Sequence, residues 1–281
     1  MMKFILTTIF LILSINVSHA HQPDRRIVSI GGALTETIYA LGLGYRLVGS
    51  DTTSYFPPSA ASLPKTGYQR ALSVEGVLSL KPDLIIATED AGPPSVIKQI
   101  SSTGVQINRL KSAKSMKDTR ENILTLGKIL NVNAAAKTLV GKFDASLEQL
   151  KATTSVQTNK PKVLFIMSHG SSTPMAAGSE TSANSIIEIA GGINVANAYT
   201  GYKPLSPEAV VKFSPEFILI TSRTLKQIGG NEALFKLPGL ALTPAAKSGN
   251  VIDMDGLLLL GFGPRSAAAA LELNKRLNAD D

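Results

Sequence analysis

Cysteine does not occur in this chain of 281 residues. Its absence removes disulfides, thiolate metal sites and a lipid-bearing N-terminal cysteine together, so the fold must rest on an ordinary apolar core. Histidine is nearly as scarce. Of the three present, His19 and His21 lie at the start of the chain, which leaves His169 alone in its body and excludes a multi-histidine zinc or manganese site. The sequence has no Gly-x-Ser-x-Gly elbow, no Gly-x-x-x-x-Gly-Lys loop and no His-Glu-x-x-His pair, so the common enzymatic signatures are missing. Blocks of Lys and Arg interleaved with aromatics are missing too, and nothing points to nucleic acid.

What is present begins with a leader. Met1-Met2-Lys3 is followed by the apolar run Phe4 to Val17 and by Ser18-His19-Ala20, the pattern of a secretory signal peptide cleaved after Ala20. The run is too short for a comfortable membrane anchor, and no later segment offers about 18 uninterrupted apolar residues. A soluble, exported protein is expected, free in the periplasm. The net charge of +7 includes Lys3, which leaves +6 after cleavage; so modest an excess suits an anionic ligand or a solvated surface equally.

Strand-like runs recur between turn residues: Ile27 to Ile30, Leu47 to Gly49, Leu84 to Ala87, Val163 to Met167, Phe217 to Ile220 and Val251 to Met254. Helix-like segments such as Thr35 to Leu41 and Ser185 to Ala190 alternate with them, which argues for an α/β fold with mostly parallel central sheets. A weak repeat divides the chain. Leu72-Ser73-Val74-Glu75-Gly76-Val77 followed by Lys81-Pro82-Asp83-Leu84-Ile85-Ile86 recurs as Leu205-Ser206-Pro207-Glu208-Ala209-Val210 followed by Ser214-Pro215-Glu216-Phe217-Ile218-Leu219. In each copy a Ser caps a short helix, a Glu faces its positive end and a Pro stops it before a buried strand. Between the copies, Leu139, Val140, Phe143, Leu147 and Leu150 fall three or four apart and predict a helix, with Asn131 and Asn133 punctuating the segment. Two lobes are expected, over 21–117 and 161–281, joined by one long helix within 118–160.

Several residues invite a chemical reading. Gly31-Gly32-Ala33 opens a helix after a strand and makes either a tight turn or an anion site. His169 follows the strand Val163 to Met167, where open α/β sheets bind ligands, although a lone loop histidine is often plain surface. In Gly67-Tyr68-Gln69-Arg70-Ala71, a tyrosine and an arginine stand two residues apart. A free phenol has a pKa of about 10, yet nearby positive charge and ferric iron favour the phenolate, and tyrosine is an established haem ligand. Tyr68 is thus either an iron ligand, with Arg70 supporting it or meeting a propionate, or a packing residue of the lobe surface. Glu75 and Glu208 hold equivalent places in the repeat, as first-turn stabilisers or as paired contacts to a two-fold symmetric partner.

With these motifs the chain resembles the haem-binding periplasmic proteins of bacterial ABC importers, within the cluster that includes vitamin B12 and ferric-siderophore binding proteins. Thr35-Glu36-Thr37-Ile38-Tyr39-Ala40-Leu41-Gly42, Lys81-Pro82-Asp83-Leu84-Ile85 and the linking helix carry the broad likeness, which runs from Arg26 to Arg265. Gly67 to Ser73, Thr173-Pro174-Met175-Ala176-Ala177-Gly178 and Leu237-Pro238-Gly239-Leu240 carry the likeness to haem importers. The resemblance implies a monomeric, non-enzymatic carrier of helical-backbone type whose cargo is haem, with Tyr68 as axial ligand of the haem iron and Arg70 as its partner. It also implies His169 as a histidine from the opposite lobe, a possible second axial ligand, and Met167, Met175 and Tyr199 as porphyrin contacts. Glu75 and Glu208 then dock onto an inner-membrane permease with its ATPase, downstream of an outer-membrane haem receptor. A ferric-siderophore or cobalamin carrier is the nearest alternative; an exported α/β hydrolase using His169 is a remote one.

Overall fold

The structure is a computed structural model, described here for residues 25–168 and 173–279. The leader and His169 lie outside the described residues.

The first lobe runs β1 (Ile27–Ile30), α1 (Gly32–Ala40), β2 (Leu47–Ser50), α2 (Pro58–Ala61), β3 (Gly67–Tyr68), β4 (Ala71–Leu72), α3 (Val74–Leu78), β5 (Leu84–Thr88), α4 (Pro94–Ser101) and β6 (Gln106–Leu110). Strands β2-β1-β5-β6 form a parallel sheet, and β3 pairs with β4 as a separate antiparallel hairpin. Because side chains alternate across a strand, Ile27, Leu84 and Ile86 enter one apolar layer while Val28, Ile30, Ile85 and Ala87 enter the other.

Two helices follow, α5 (Met116–Ile129) and α6 (Asn133–Val156). At 24 residues α6 spans about 36 Å. Its early residues Ala136 and Val140 pack into the first lobe, and Phe143 and Leu150 pack into the second. One apolar stripe therefore serves two cores, which makes α6 the linking helix.

The second lobe runs β7 (Lys162–Met167), β8 (Met175–Ala177), α7 (Ser182–Ile189), β9 (Ile193–Asn194), β10 (Tyr202–Pro204), α8 (Pro207–Phe213), β11 (Phe217–Thr221), α9 (Ser222–Ile228), α10 (Asn231–Phe235), α11 (Pro244–Ser248), β12 (Val251–Met254), α12 (Gly256–Leu260) and α13 (Ser266–Leu277). Its sheet, ordered β10-β8-β7-β11-β12, is parallel across β7, β11 and β12 and antiparallel at the β8–β10 edge.

The repeat has a physical content that spacing alone does not display. Ser73 Oγ accepts the Gly76 N–H at 3.1 Å, and Ser206 Oγ accepts the Ala209 N–H at 3.2 Å. Lys81 and Ser214 both turn the chain at φ near +45° ahead of their prolines. Asp83 then takes the Arg26 N–H at the head of β1, and Glu216 takes the Lys162 N–H at the head of β7, each at 2.8 Å. In each lobe the acidic residue satisfies a strand-end amide of the neighbouring strand.

The lobes also touch directly. Glu36 accepts two hydrogen bonds from Arg265, Tyr55 Oη accepts the Leu257 N–H at 2.7 Å, and Thr119 Oγ1 donates to the Phe262 carbonyl at 2.8 Å.

Candidate ligand-binding site

Segments that follow the parallel strands of the two lobes approach one another, with Tyr55 after β2 bonded to Leu257 after β12 and Lys114 after β6 bonded to the Glu180 carbonyl, and such strand ends are where open α/β sheets hold ligands. On the first lobe, Gly31 ends β1 with φ +114°; a Cβ there would lie 2.6 Å from Thr88 Cγ2 and 3.6 Å from Gln69 Oε1. The turn after β1 therefore lies against the Gln69 side chain of the β3–β4 hairpin. The anion-site reading of Gly31-Gly32 does not hold: Asp51 Oδ1 takes the Gly31 N–H at 2.9 Å and Thr53 Oγ1 takes the Gly32 N–H at 3.0 Å. These internal acceptors occupy the first donors of α1, leaving a tight turn.

The hairpin itself carries Tyr68 and Arg70, and it is a strand pair rather than the loop its glycine flank suggests. Gln69 and Arg70 form its two-residue turn, and Tyr68 faces Ala71 in register. So short a ladder is not stable alone. It is tied on both sides: Thr52 N–H donates to the Gly67 carbonyl, Leu72 N–H to the Gly92 carbonyl and Gly92 N–H to the Gln69 carbonyl, each at 2.9 Å. Behind it, Lys65 Nζ donates to Ser54 O, Ala60 O and Ser50 Oγ at 2.7, 2.8 and 3.0 Å. Burial there pushes the Lys65 ammonium below its ordinary pKa, against the field of Asp51.

Tyr68 is thereby offered to solvent on a fixed support, 43% exposed. Its Oη accepts from Arg70 Nη1 at 2.9 Å. Arg70 in turn pairs through Nη2 with Asp90, which follows β5. Partial burial pushes the Asp90 carboxyl up, but the hydrogen bonds from Ser112 and Arg70 and the Arg70 charge outweigh it and hold it below the usual range.

From the opposite lobe comes Tyr202, on β10. It packs against the second lobe's core, and burial raises its phenol above the ordinary value while the Arg70 charge opposes that rise. Tyr199, the aromatic expected to meet a porphyrin, is half-buried and packs edge-on against Phe213 at 5.6 Å between ring centroids. Met167 and Met175, opposite one another in the β7–β8 ladder, are half-buried.

At the cleft's inner end, Tyr55 is held beside Asp255, with Arg223 near. Its phenol is pushed up to about 12 by burial and by the Asp255 charge. In the second lobe a cavity of about 570 Å³ opens among Ser168, Thr173, Pro174, Leu205, Leu237 and Pro238. It is apolar and of ligand-binding size, yet it contains neither Tyr68 nor Arg70. The geometry of donors therefore marks the site better than the volume does. Glu75 and Glu208 are exposed, one on α3 and one on α8, and neither forms an ion pair among the described residues. No group of three or more His, Cys, Asp or Glu side chains converges among the described residues. There is likewise no helix among them long and apolar enough to cross a membrane.

Two lobes with parallel sheets, one linking helix and an open cleft form an architecture that known proteins share. A family profile described as periplasmic binding protein matches residues 27–257. The chain belongs to that family. Among solved structures, this binding protein is similar to the periplasmic heme-binding protein RhuT from Roseiflexus sp. RS-1, with 38% identity, a TM-score of 0.87 and coverage of 91% of this chain and 98% of that one. It is similar to the periplasmic heme-binding protein BhuT in complex with two hemes, at 38% identity and a TM-score of 0.86 over 90% and 97% of the chains. Among curated relatives, the ABC transporter substrate-binding lipoprotein YvrC of Bacillus subtilis is 29% identical, over 92% of this chain and 82% of its own. The vitamin B12-binding protein of Vibrio vulnificus is 26% identical over 92% of both.

Proposed function

We propose that this binding protein is a non-enzymatic carrier that captures ferric haem in the cleft through Tyr68 and hands it to an inner-membrane ABC permease. The observation that carries the reading is the exposed Tyr68 phenol with its oxygen on the Arg70 guanidinium at 2.9 Å. Haem iron is a centre that a single tyrosinate holds, which suits a site with one such oxygen on a rigid hairpin. The 38% identity to two heme-binding structures supports the same cargo.

The surrounding chemistry fits a flat, amphipathic guest. Met167, Met175 and Tyr199, all half-buried in the second lobe, give the porphyrin contact. His169 is kept as the second-lobe ligand candidate. The lobes span 21–117 and 161–281 with the linker between, and the seam contacts together with α6 argue for a preformed cleft with little hinge motion. Export through the leader, cleavage after Ala20 and work as a periplasmic monomer complete the proposal, with Glu75 and Glu208 docking on the permease and an outer-membrane haem receptor upstream.

Absorbance titration of the mature protein with hemin tests it, with Tyr68→Phe alongside. A saturable Soret band and a phenolate-to-iron charge-transfer band are expected in the wild type, with the charge-transfer band lost in Tyr68→Phe. If the two titrate alike, the haem reading fails. The relatives that bind vitamin B12 then supply the next cargo to test, by cobalamin titration.

A further inference from the structure

We propose that Asp90 is a positioning residue for Tyr68, acting through Arg70, and that it commits Arg70 to the phenol oxygen instead of to a carboxylate of the cargo. The inference rests on the haem reading and adds to it a role that neither the motif nor the fold assigns.

The side chain of Arg70 is 55% exposed. An arginine so placed is free to sweep many rotamers, and holding it costs about 2 kcal/mol of side-chain entropy. Asp90 removes that freedom by taking Nη2, which leaves Nη1 directed at Tyr68 Oη. Asp90 is itself held. Its Oδ1 accepts Ser112 Oγ at 2.6 Å, the Ser112 N–H donates to Glu89 Oε1 at 3.1 Å, and the Glu89 N–H donates to the Leu110 carbonyl at 2.7 Å. A continuous chain of hydrogen bonds therefore runs from the ends of β5 and β6 to the ligand oxygen, through Ser112, Asp90 and Arg70.

Charge decides the second half of the proposal. The Arg70 guanidinium already has a carboxylate partner, so an incoming propionate on the same group would meet the Asp90 charge at close range. Arg70 does not suit an anion anchor; it suits a donor to one phenol oxygen. The sequence left both roles open, and the Asp90 contact separates them.

The experiment compares Asp90→Asn, Arg70→Ala and their double variant in the ferric hemin complex of the mature protein, with Ser112→Ala as a gentler perturbation. The charge-transfer band and the rate of hemin release to excess apomyoglobin are read. Asp90→Asn should still bind hemin, should shift the band in the sense Arg70→Ala does, and should release hemin about tenfold faster, the worth of one charge-assisted hydrogen bond. The double variant should go no further than Arg70→Ala, and Ser112→Ala should move part of the way. Hemin dimethyl ester, which lacks the propionate charges, should suffer the same penalty from Arg70→Ala as hemin does. A wild-type band and release rate in Asp90→Asn, full additivity in the double variant, or a penalty confined to the free acid would each overturn the proposal. A Tyr68→Phe protein that keeps the wild-type band would instead remove the haem reading and this inference with it.

Discussion

Arg265 and Glu36, 229 positions apart, form a two-pronged ion pair across the seam of the lobes, with Nε and Nη2 on the two carboxylate oxygens at 2.6 and 2.9 Å. Arg265 Cζ also lies 3.5 Å from the centroid of the Phe56 ring. The Glu36 side chain is only 5% exposed. Together with α6, which belongs to both cores, this pair fixes the angle between the lobes.

Removing Arg265 strands a buried carboxylate, whose cost exceeds whatever the pair itself contributes. Arg265→Ala should lower stability to urea by about 2 to 3 kcal/mol, at or below the low end for such pairs because the arginine is partly exposed. Glu36→Ala combined with it should cost less than the two single losses added. Strict additivity in urea unfolding would show that the pair does not couple the lobes.

Tyr55 provides a test in pH. Its folded-state pKa of about 12 lies above the ordinary phenol value, so between about 10 and 12 the unfolded chain loses a proton that the folded one keeps. The contribution is intact below pH 10 and declines as pH rises through that window. Tyr55→Phe should cost about 1 kcal/mol at pH 7 by losing the acceptor for the Leu257 N–H, and its stability should fall less steeply than the wild type's above pH 10. Parallel curves in urea unfolding from pH 9 to 11 would contradict this.

Much of the fold is legible in the sequence because its signals are local. The six strands read from apolar runs are all present, with ends moved by one residue at most, and the Ser-capped helices of the repeat carry their caps. The long helix is legible from the spacing of Val140, Phe143 and Leu150, and it runs from Asn133 to Val156, inside the expected 118–160. What escaped notice depends on pairing at a distance. The β8–β10 edge and Asp90 beside Arg70 are set by contacts 20 or more positions apart, which no window of neighbouring residues contains. Tyr68 and Arg70 stood out because their partnership spans two residues.

Gly67 tests whether the hairpin's rigidity serves binding. It sits at φ +103°, and a Cβ there would lie 2.9 Å from the Ala71 carbonyl oxygen, a conformation and a contact that alanine resists. Gly67→Ala should cost about 1 to 2 kcal/mol of stability. Its affinity for hemin should fall as well, because displacement of Tyr68 from Arg70 adds to the loss. Unchanged hemin titration together with reduced stability would show that the ligand tolerates a displaced phenol.

Glu75 and Glu208 separate capture from delivery. Each sits in the first turn of a short helix whose Ser cap already takes one amide, so its worth to stability is at most about 1 kcal/mol. Neither has an ionic partner among the described residues, and the repeat gives them equivalent places on the two lobes, as a two-fold partner requires. Glu75→Ala and Glu208→Ala should leave hemin titration and unfolding nearly unchanged while lowering uptake through the cognate importer, and the double variant should lower it further. Uptake is measured as haem-dependent growth of cells that rely on this carrier. Rim charges act mainly on encounter rate, so raising the carrier concentration should recover part of the loss in the single variants. Normal uptake in the double variant would reduce both glutamates to helix stabilisers and would leave docking to other surfaces of the lobes.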